Sequence, residues 1–195
     1  MGSKFFSGQA PADVGNDTSF FISGSKGGKY GQGGNIVGGV SVFGGDLVVS
    51  GGIYHQHDPT SAGRGMTGGY GDIIILGNTT TSQGKLYYFH TDGTWVETDA
   101  SSVLNAKGMY QLLGIALGAN SGGAGMLVRG FVNITVTGQG GTDEGLPVYV
   151  DDSGTGLIGI SAPAGSGDFV RLVGWVVDDT GTIYFNPSND WIELS

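Results

Sequence analysis

The sequence predicts an all-β fold: a compact β-sandwich or barrel that follows a Gly-rich arm and β-hairpin segment, assembled as a trimer. Three observations carry the β assignment. Short apolar runs recur with turn signals between them, at the ~8–12-residue spacing of sandwiches and barrels. Glycine supplies 41 of 195 residues, against 5 prolines. No G-X-Y period accompanies it, so the glycines read as turns and close backbone approaches rather than collagen. Helical periodicity is nearly absent. The best window, Ser101–Leu117, is interrupted by Gly108 and Gly114 and leaves room only for one short turn near Val103–Lys107.

In order, the strand runs begin with Thr18–Ser23, Gly39–Phe43 and Asp46–Ser50. Asp72–Leu76, Lys85–His90, Thr94–Thr98, Gln111–Leu117, Gly125–Val136 and Leu146–Val150 follow. Leu157–Ile160, Asp168–Val177, Thr182–Phe185 and Trp191–Leu194 complete the series. Asp92-Gly93 between two such runs is a tight-hairpin signal. Gly44-Gly45, Ser153-Gly154 and the Asp179–Gly181 stretch mark further turns. Strict alternation puts Leu127, Arg129, Phe131, Asn133 and Thr135 on one face of their strand. It puts Phe169, Arg171, Val173 and Trp175 together on another. Both faces of these strands carry apolar residues, so they sit between two layers or against a neighbouring subunit.

Composition divides the chain into an arm and Gly-rich oligomeric β segment at 1–58, a linker at 59–69 and a compact domain at 70–195. Apolar residues make up 38% and aromatics 10%, enough for a core and unlike a disordered chain. Net charge is −9, and the few cations are scattered singly, which argues against a nucleic-acid partner. There is no cysteine, so neither a disulfide framework nor thiolate chemistry is available. The start, Met1-Gly2-Ser3-Lys4, lacks the apolar stretch of a signal peptide. No run reaches the length of a membrane span. Synthesis in a cytoplasm and no membrane partner are expected.

The run Gly39–Ser50 alternates apolar residues but is too short and Gly-rich to build its own core, and an isolated hairpin is marginal in water. Three copies around an axis would bury Val42, Phe43 and Val48 against one another, with glycine permitting close approach. The other reading packs the hairpin on its own domain. His55 and His57, at i and i+2, share one face of a strand. On a threefold axis three such pairs would surround a metal ion with imidazole nitrogens; otherwise they are exposed histidines at the start of the linker.

"LLGIALGANSGGAGMLVRGFVNI" (112–134), "GLPVYVDDSGTGLIG" (145–159) and "GDFVRLVGWVVDDTGTIYFNPSNDWIEL" (167–194) together resemble β-domains of tailed-bacteriophage virion proteins. Capsid decoration proteins and short fibres are among these. "GGVSVFGGDLVVSGGIY" (38–54) resembles a motif of marine-phage fibre-like proteins. The resemblance spans roughly 40–195. It implies a homotrimer on the outer surface of a virion that binds the shell or tail instead of performing catalysis. Trimeric phage spikes are similar in using an H-x-H pair for metal.

Other constellations are weaker. His90 lies beside a turn with Asp92 but has no nucleophile elbow. Asp143-Glu144, Asp151-Asp152 and Asp178-Asp179 are adjacent acids, which point to opposite faces of a strand and make poor acid–base couples. "DDSGTG" (151–156) offers oxygen ligands for Ca²⁺ without the EF-hand pattern. "GSKGGKYGQGG" (24–34) lacks a phosphate-loop signature. Trp95, Trp175 and Trp191, with Tyr87, Tyr88, Phe89, Tyr184 and Phe185, are either core or a sugar-stacking platform. No cofactor is expected.

The expectation is a decoration (cement) protein whose partners are itself and the major capsid protein. Phe5, Phe6, Phe20 and Phe21 would anchor its arm on the shell or a neighbouring subunit. A short tail or neck fibre binding a host receptor is the alternative, and a glycan depolymerase the remote one.

Overall fold

The structure, a computed structural model, describes residues 69–101 and 107–195. The strands expected at 18–23, 39–43 and 46–50 lie outside the described residues, as does most of the helical turn expected near 103–107. Among the described residues there are eleven strands and no helix. They are β1 (Tyr70–Ile74), β2 (Leu86–Phe89), β3 (Trp95–Glu97), β4 (Leu113–Ala116), β5 (Met126–Asn133) and β6 (Pro147–Val150). β7 (Ile158–Gly159), β8 (Phe169–Val170), β9 (Leu172–Val176), β10 (Thr182–Phe185) and β11 (Ile192–Glu193) follow.

Nine strands form one sheet in the order β3-β2-β4-β5-β10-β9-β6-β7, with β1 also on β5. β8 and β11 make a separate two-stranded pair. All strand pairings are antiparallel. The large sheet curls into a half-barrel. Its far ends are drawn together by backbone bonds: Leu86 N–H donates to Gly156 O at 2.9 Å, and Gly156 N–H to Thr98 O at 2.8 Å. Ala100 N–H reaches Asp151 O at 3.2 Å. On the β7 side, Thr137 N–H donates to Ile158 O at 2.8 Å. Such links satisfy polar groups that a flat sheet would leave on exposed edges.

The concave side holds the core. Leu86, Leu113, Ile115, Leu127, Val132, Val148, Ile158, Phe169, Val173, Ile183 and Phe185 are all buried in one cluster. A second, smaller cluster joins Tyr87, Trp95, Ala116 and Met126. There the Trp95 indole N–H donates to Leu76 O at 2.7 Å, and its ring meets Phe89 at 5.1 Å between centroids. Burying an indole is favourable only when its N–H finds such an acceptor.

Two irregularities change the faces that alternation assigns. Asp72 faces Arg129 while Ile73 faces Leu127, so Val128 is an extra residue on β5. Val148 faces Gly174 while Tyr149 faces Leu172, so Val173 is an extra residue on β9. A β-bulge inserts one residue and shifts the later side chains to the opposite face. Leu127 is therefore core while Arg129 is exposed and Phe131 half-buried, and Phe169 is core while Trp175 is exposed. The single-face assignments for Leu127 with Phe131, and for Phe169 with Trp175, are corrected accordingly. The run expected as one strand over 168–177 is also divided, at Arg171.

Candidate interaction surface

Downstream of the bulges, four strands bring aromatic side chains into register. Tyr70 on β1 faces Phe131 on β5. Phe131 faces Tyr184 on β10, and Tyr184 faces Trp175 on β9. Trp175 in turn faces Pro147 on β6, beside exposed Leu146. Neighbouring strands lie ~4.8 Å apart, and the Phe131 and Tyr184 rings meet at 5.0 Å with a 44° tilt. Trp175 and Tyr70 are each 37% exposed. The residues flanking this row along the strands, Val132, Ile183, Phe185 and Val176, are buried. The row therefore occupies the convex face. The Arg129–Asp72 ion pair borders it at 2.8 Å, with both side chains largely in solvent.

A second apolar patch has a different origin. Arg171, between β8 and β9, is buried. Its Nε donates to Ser188 O at 2.9 Å, and Nη1 donates to Gly108 O (2.8 Å), Met109 O (3.1 Å) and Gln111 O (2.9 Å). Burial lowers its pKa from the usual arginine value, yet a guanidinium keeps its charge. One side chain thus ties the 108–111 loop to the segment before β11. Tyr110, 72% exposed, meets Trp191 at 6.3 Å between ring centroids with a 45° tilt; Trp191 is half-buried against the core, and Ile192 beside it is 61% exposed. Acidic Asp190 and Glu193 flank these residues and are exposed.

An open cleft of about 580 Å³ lies between the start of β2, the end of β5 and the turn at 179–181. Its amides are already engaged. Gln83 Nε2 donates to Leu117 O at 3.2 Å, Asn133 Nδ2 to Thr180 O at 3.0 Å, and Gln139 Nε2 to Asp178 O at 2.6 Å. Lys85 Nζ donates to Thr155 O at 2.9 Å. These groups stitch loops together and do not converge on a ligand.

The adjacent acids serve their own turns. Asp143 Oδ2 accepts from Gly140 N–H at 2.7 Å. Asp151 Oδ1 accepts from the Ser153 amide at 2.6 Å and from the Ser153 hydroxyl, which closes an Asx turn. Asp178 Oδ1 accepts from Thr180 N–H and Thr182 N–H, each at 2.9 Å, and from Thr180 Oγ1 at 2.8 Å. Burial pushes the Asp178 pKa up, but bonds from Thr182 and Thr180 outweigh it and hold the carboxyl below its usual value. Asp92 is lowered to about 2, chiefly by the Thr94 hydroxyl and then by His90. His90 sits 3.0 Å from Asp92 in this exposed hairpin turn, a local contact with no nucleophile in it. Among the described residues, no group of three or more His, Asp or Glu side chains is arranged to hold a metal.

Asp99 differs from these. Its Oδ1 accepts from Ser101 N–H at 2.8 Å, while Oδ2 is buried without a hydrogen-bond partner. Burial raises its pKa, with Asp152 and Asp168 adding to the rise and the Ser101 N–H and Lys107 opposing it.

His55 and His57, and the interface residues Phe5, Phe6, Phe20, Phe21, Val42, Phe43 and Val48, lie outside the described residues, as does the 24–34 loop. The aromatic residues read as either core or a sugar-stacking platform are divided. Trp95, Tyr87, Tyr88 and Phe185 are core, while Trp175 and Tyr184 face outward and Trp191 belongs to the second patch. Tyr70, Phe131 and Pro147 enter the row only through register and bulges, which single-strand alternation does not encode. No protein-family model, curated protein or solved structure matches the chain.

Proposed function

We propose that the protein is a phage virion surface component, a decoration protein that binds the outer capsid shell as a homotrimer. The observation that carries this reading is the convex aromatic row from Tyr70 to Trp175 and Pro147. Each cross-strand ring pair adds only about 0.2–1 kcal/mol to the sheet itself, whereas contiguous exposed apolar surface marks protein–protein contact. Tyr and Trp are the residues most enriched at such contacts. On this reading cementing works by burying apolar surface across junctions of the shell. The acidic balance of the chain suits an exposed virion surface.

Quantitative mass spectrometry of purified particles tests the reading. A copy number near that of the major capsid protein is expected. A few copies per hundred would replace the decoration role with a short tail or neck fibre. Absence from the particle would overturn both.

A further inference from the structure

We propose that the convex aromatic row of one subunit packs on the Tyr110–Trp191–Ile192 patch of the next, so that three copies close head to tail in a ring. This rests on the homotrimer reading above and names the two surfaces that would make it. A twofold contact uses one patch against itself, whereas a threefold ring needs two different, complementary patches on each subunit. Two of the exposed apolar surfaces among the described residues suit these roles. One is the row ending at Trp175, Pro147 and Leu146; the other holds the most exposed large apolar side chains among the described residues, Tyr110 and Ile192.

Charge disfavours patch against patch. The chain carries a net charge of −9, so most face-to-face encounters of two copies are repulsive. Placing the second patch against itself would oppose Asp190 and Glu193 to their own copies. The row is bordered by Arg129, whose side chain is 60% exposed and meets Asp72 through Nη2 alone. A guanidinium has five donors, so it can also receive Glu193 or Asp190 of a neighbour. Row against patch thus sets the two acids against the neutral Arg129–Asp72 pair and not against their own copies, with aromatic surface at the centre and polar groups at the rim, the usual anatomy of an interface. Both surfaces are held in place before contact. The row stands on sheet ladders, and Arg171 fixes the second patch through four bonds to backbone carbonyls. Preorganisation of this kind lowers the entropy cost of association.

The full chain has no cysteine, which makes site-directed cross-linking clean. Leu146→Cys stands beside the row and Asn189→Cys beside the patch; both positions are exposed. The two single variants, co-expressed and treated with a short bis-maleimide, should yield a covalent dimer, and neither variant should do so alone. The double variant should yield a covalent trimer on a denaturing gel. Self-linking of either single variant would overturn the pairing, because it reports a twofold contact. A chain that is trimeric by light scattering but unlinked in the mixture would overturn the pairing while leaving the decoration reading intact. A monomer at every concentration would overturn the pairing and the homotrimer together, while particle copy number still decides the decoration role. As a second measurement, Arg129→Glu and Glu193→Arg should each raise the trimer's dissociation constant about fivefold, and the double reversal should restore it. Independent, additive losses would count against the pairing.

Discussion

Three glycines and two aspartates illustrate how single residues set the limits of this fold. Gly71 and Gly130 face each other across β1 and β5, at φ +144° and +140°. A Cβ on Gly71 would run into the Arg129 carbonyl, and one on Gly130 into that of Tyr70. Gly130→Ala should therefore cost about 2–3 kcal/mol in chemical denaturation, and hydrogen exchange should show β1 released from β5. Gly93, also at positive φ (+82°) but with nothing near its missing Cβ, should lose only about 1 kcal/mol as Gly93→Ala. Equal losses would remove the steric argument. The aspartates act through pH. The folded pKa of Asp99 is raised, so its contribution is fully present below the unfolded value and lost as pH rises through the folded one. Asp99→Asn should then raise the unfolding free energy at pH 7 by about 1 kcal/mol, and not at pH 3. Asp178 is the reverse case. Its folded pKa is lowered, so its stabilisation is present above the unfolded value and lost as pH falls through the folded one. Asp178→Asn should destabilise at pH 7, and the difference should vanish in strong acid. Thermal melts of both variants across pH 2–8 check the two signs together.

At the scale of elements, the strand pattern was legible and the faces were not. Each run expected between 72 and 194 contains a strand, because alternation, β-branched residues and Gly turns all act locally. Asp92-Gly93 indeed joins β2 to β3, with Asp92 Oδ1 accepting from Thr94 N–H at 3.0 Å. Extra residues such as Val128 and Val173 are different. Nothing in "MLVRGF" or "RLVGWV" marks them, since a bulge is defined by the partner strand and partners are distant in sequence. The aromatic row depends on those partners and is therefore hidden in the sequence, which shows Trp175 and Tyr184 only as aromatics of either core or platform. Arg171 shares its buried face with Phe169 and Val173, as alternation expects, but alternation says nothing of its bonds. Its surroundings supply carbonyls from two separate loops, and only the folded chain brings them together. Arg171→Lys should lose about 2–4 kcal/mol, because an ammonium cannot reach Ser188 and the 108–111 loop in the geometry of a planar fork. Tryptophan fluorescence near Trp191 should shift red in the folded variant as the second patch loosens. A variant as stable as the parent, with an unchanged spectrum, would show that the loop is held by other means.

For the molecule as a whole, the question is how much of the chain the half-barrel needs. The links that curl the sheet all lie within the described residues: Leu86 to Gly156, Gly156 to Thr98, Ala100 to Asp151 and Thr137 to Ile158. The buried cluster from Leu86 to Phe185 is continuous across both ends of the curl. By size and core, a chain of about 125 residues is large enough to fold unaided. A fragment of residues 69–195 should accordingly unfold in one cooperative transition, with a β-type circular dichroism spectrum. Its β pairings join segments far apart in sequence, β5 with β10 and β2 with β4, so refolding should take milliseconds to seconds rather than microseconds. If the homotrimer forms through the row and the second patch, the fragment should also associate, since both surfaces lie within it. If association needs residues 1–68, the fragment should be a stable monomer while the full chain is trimeric. Sedimentation of the two side by side distinguishes these outcomes, and a fragment that fails to fold would show that the half-barrel depends on the preceding segment for its β1 edge.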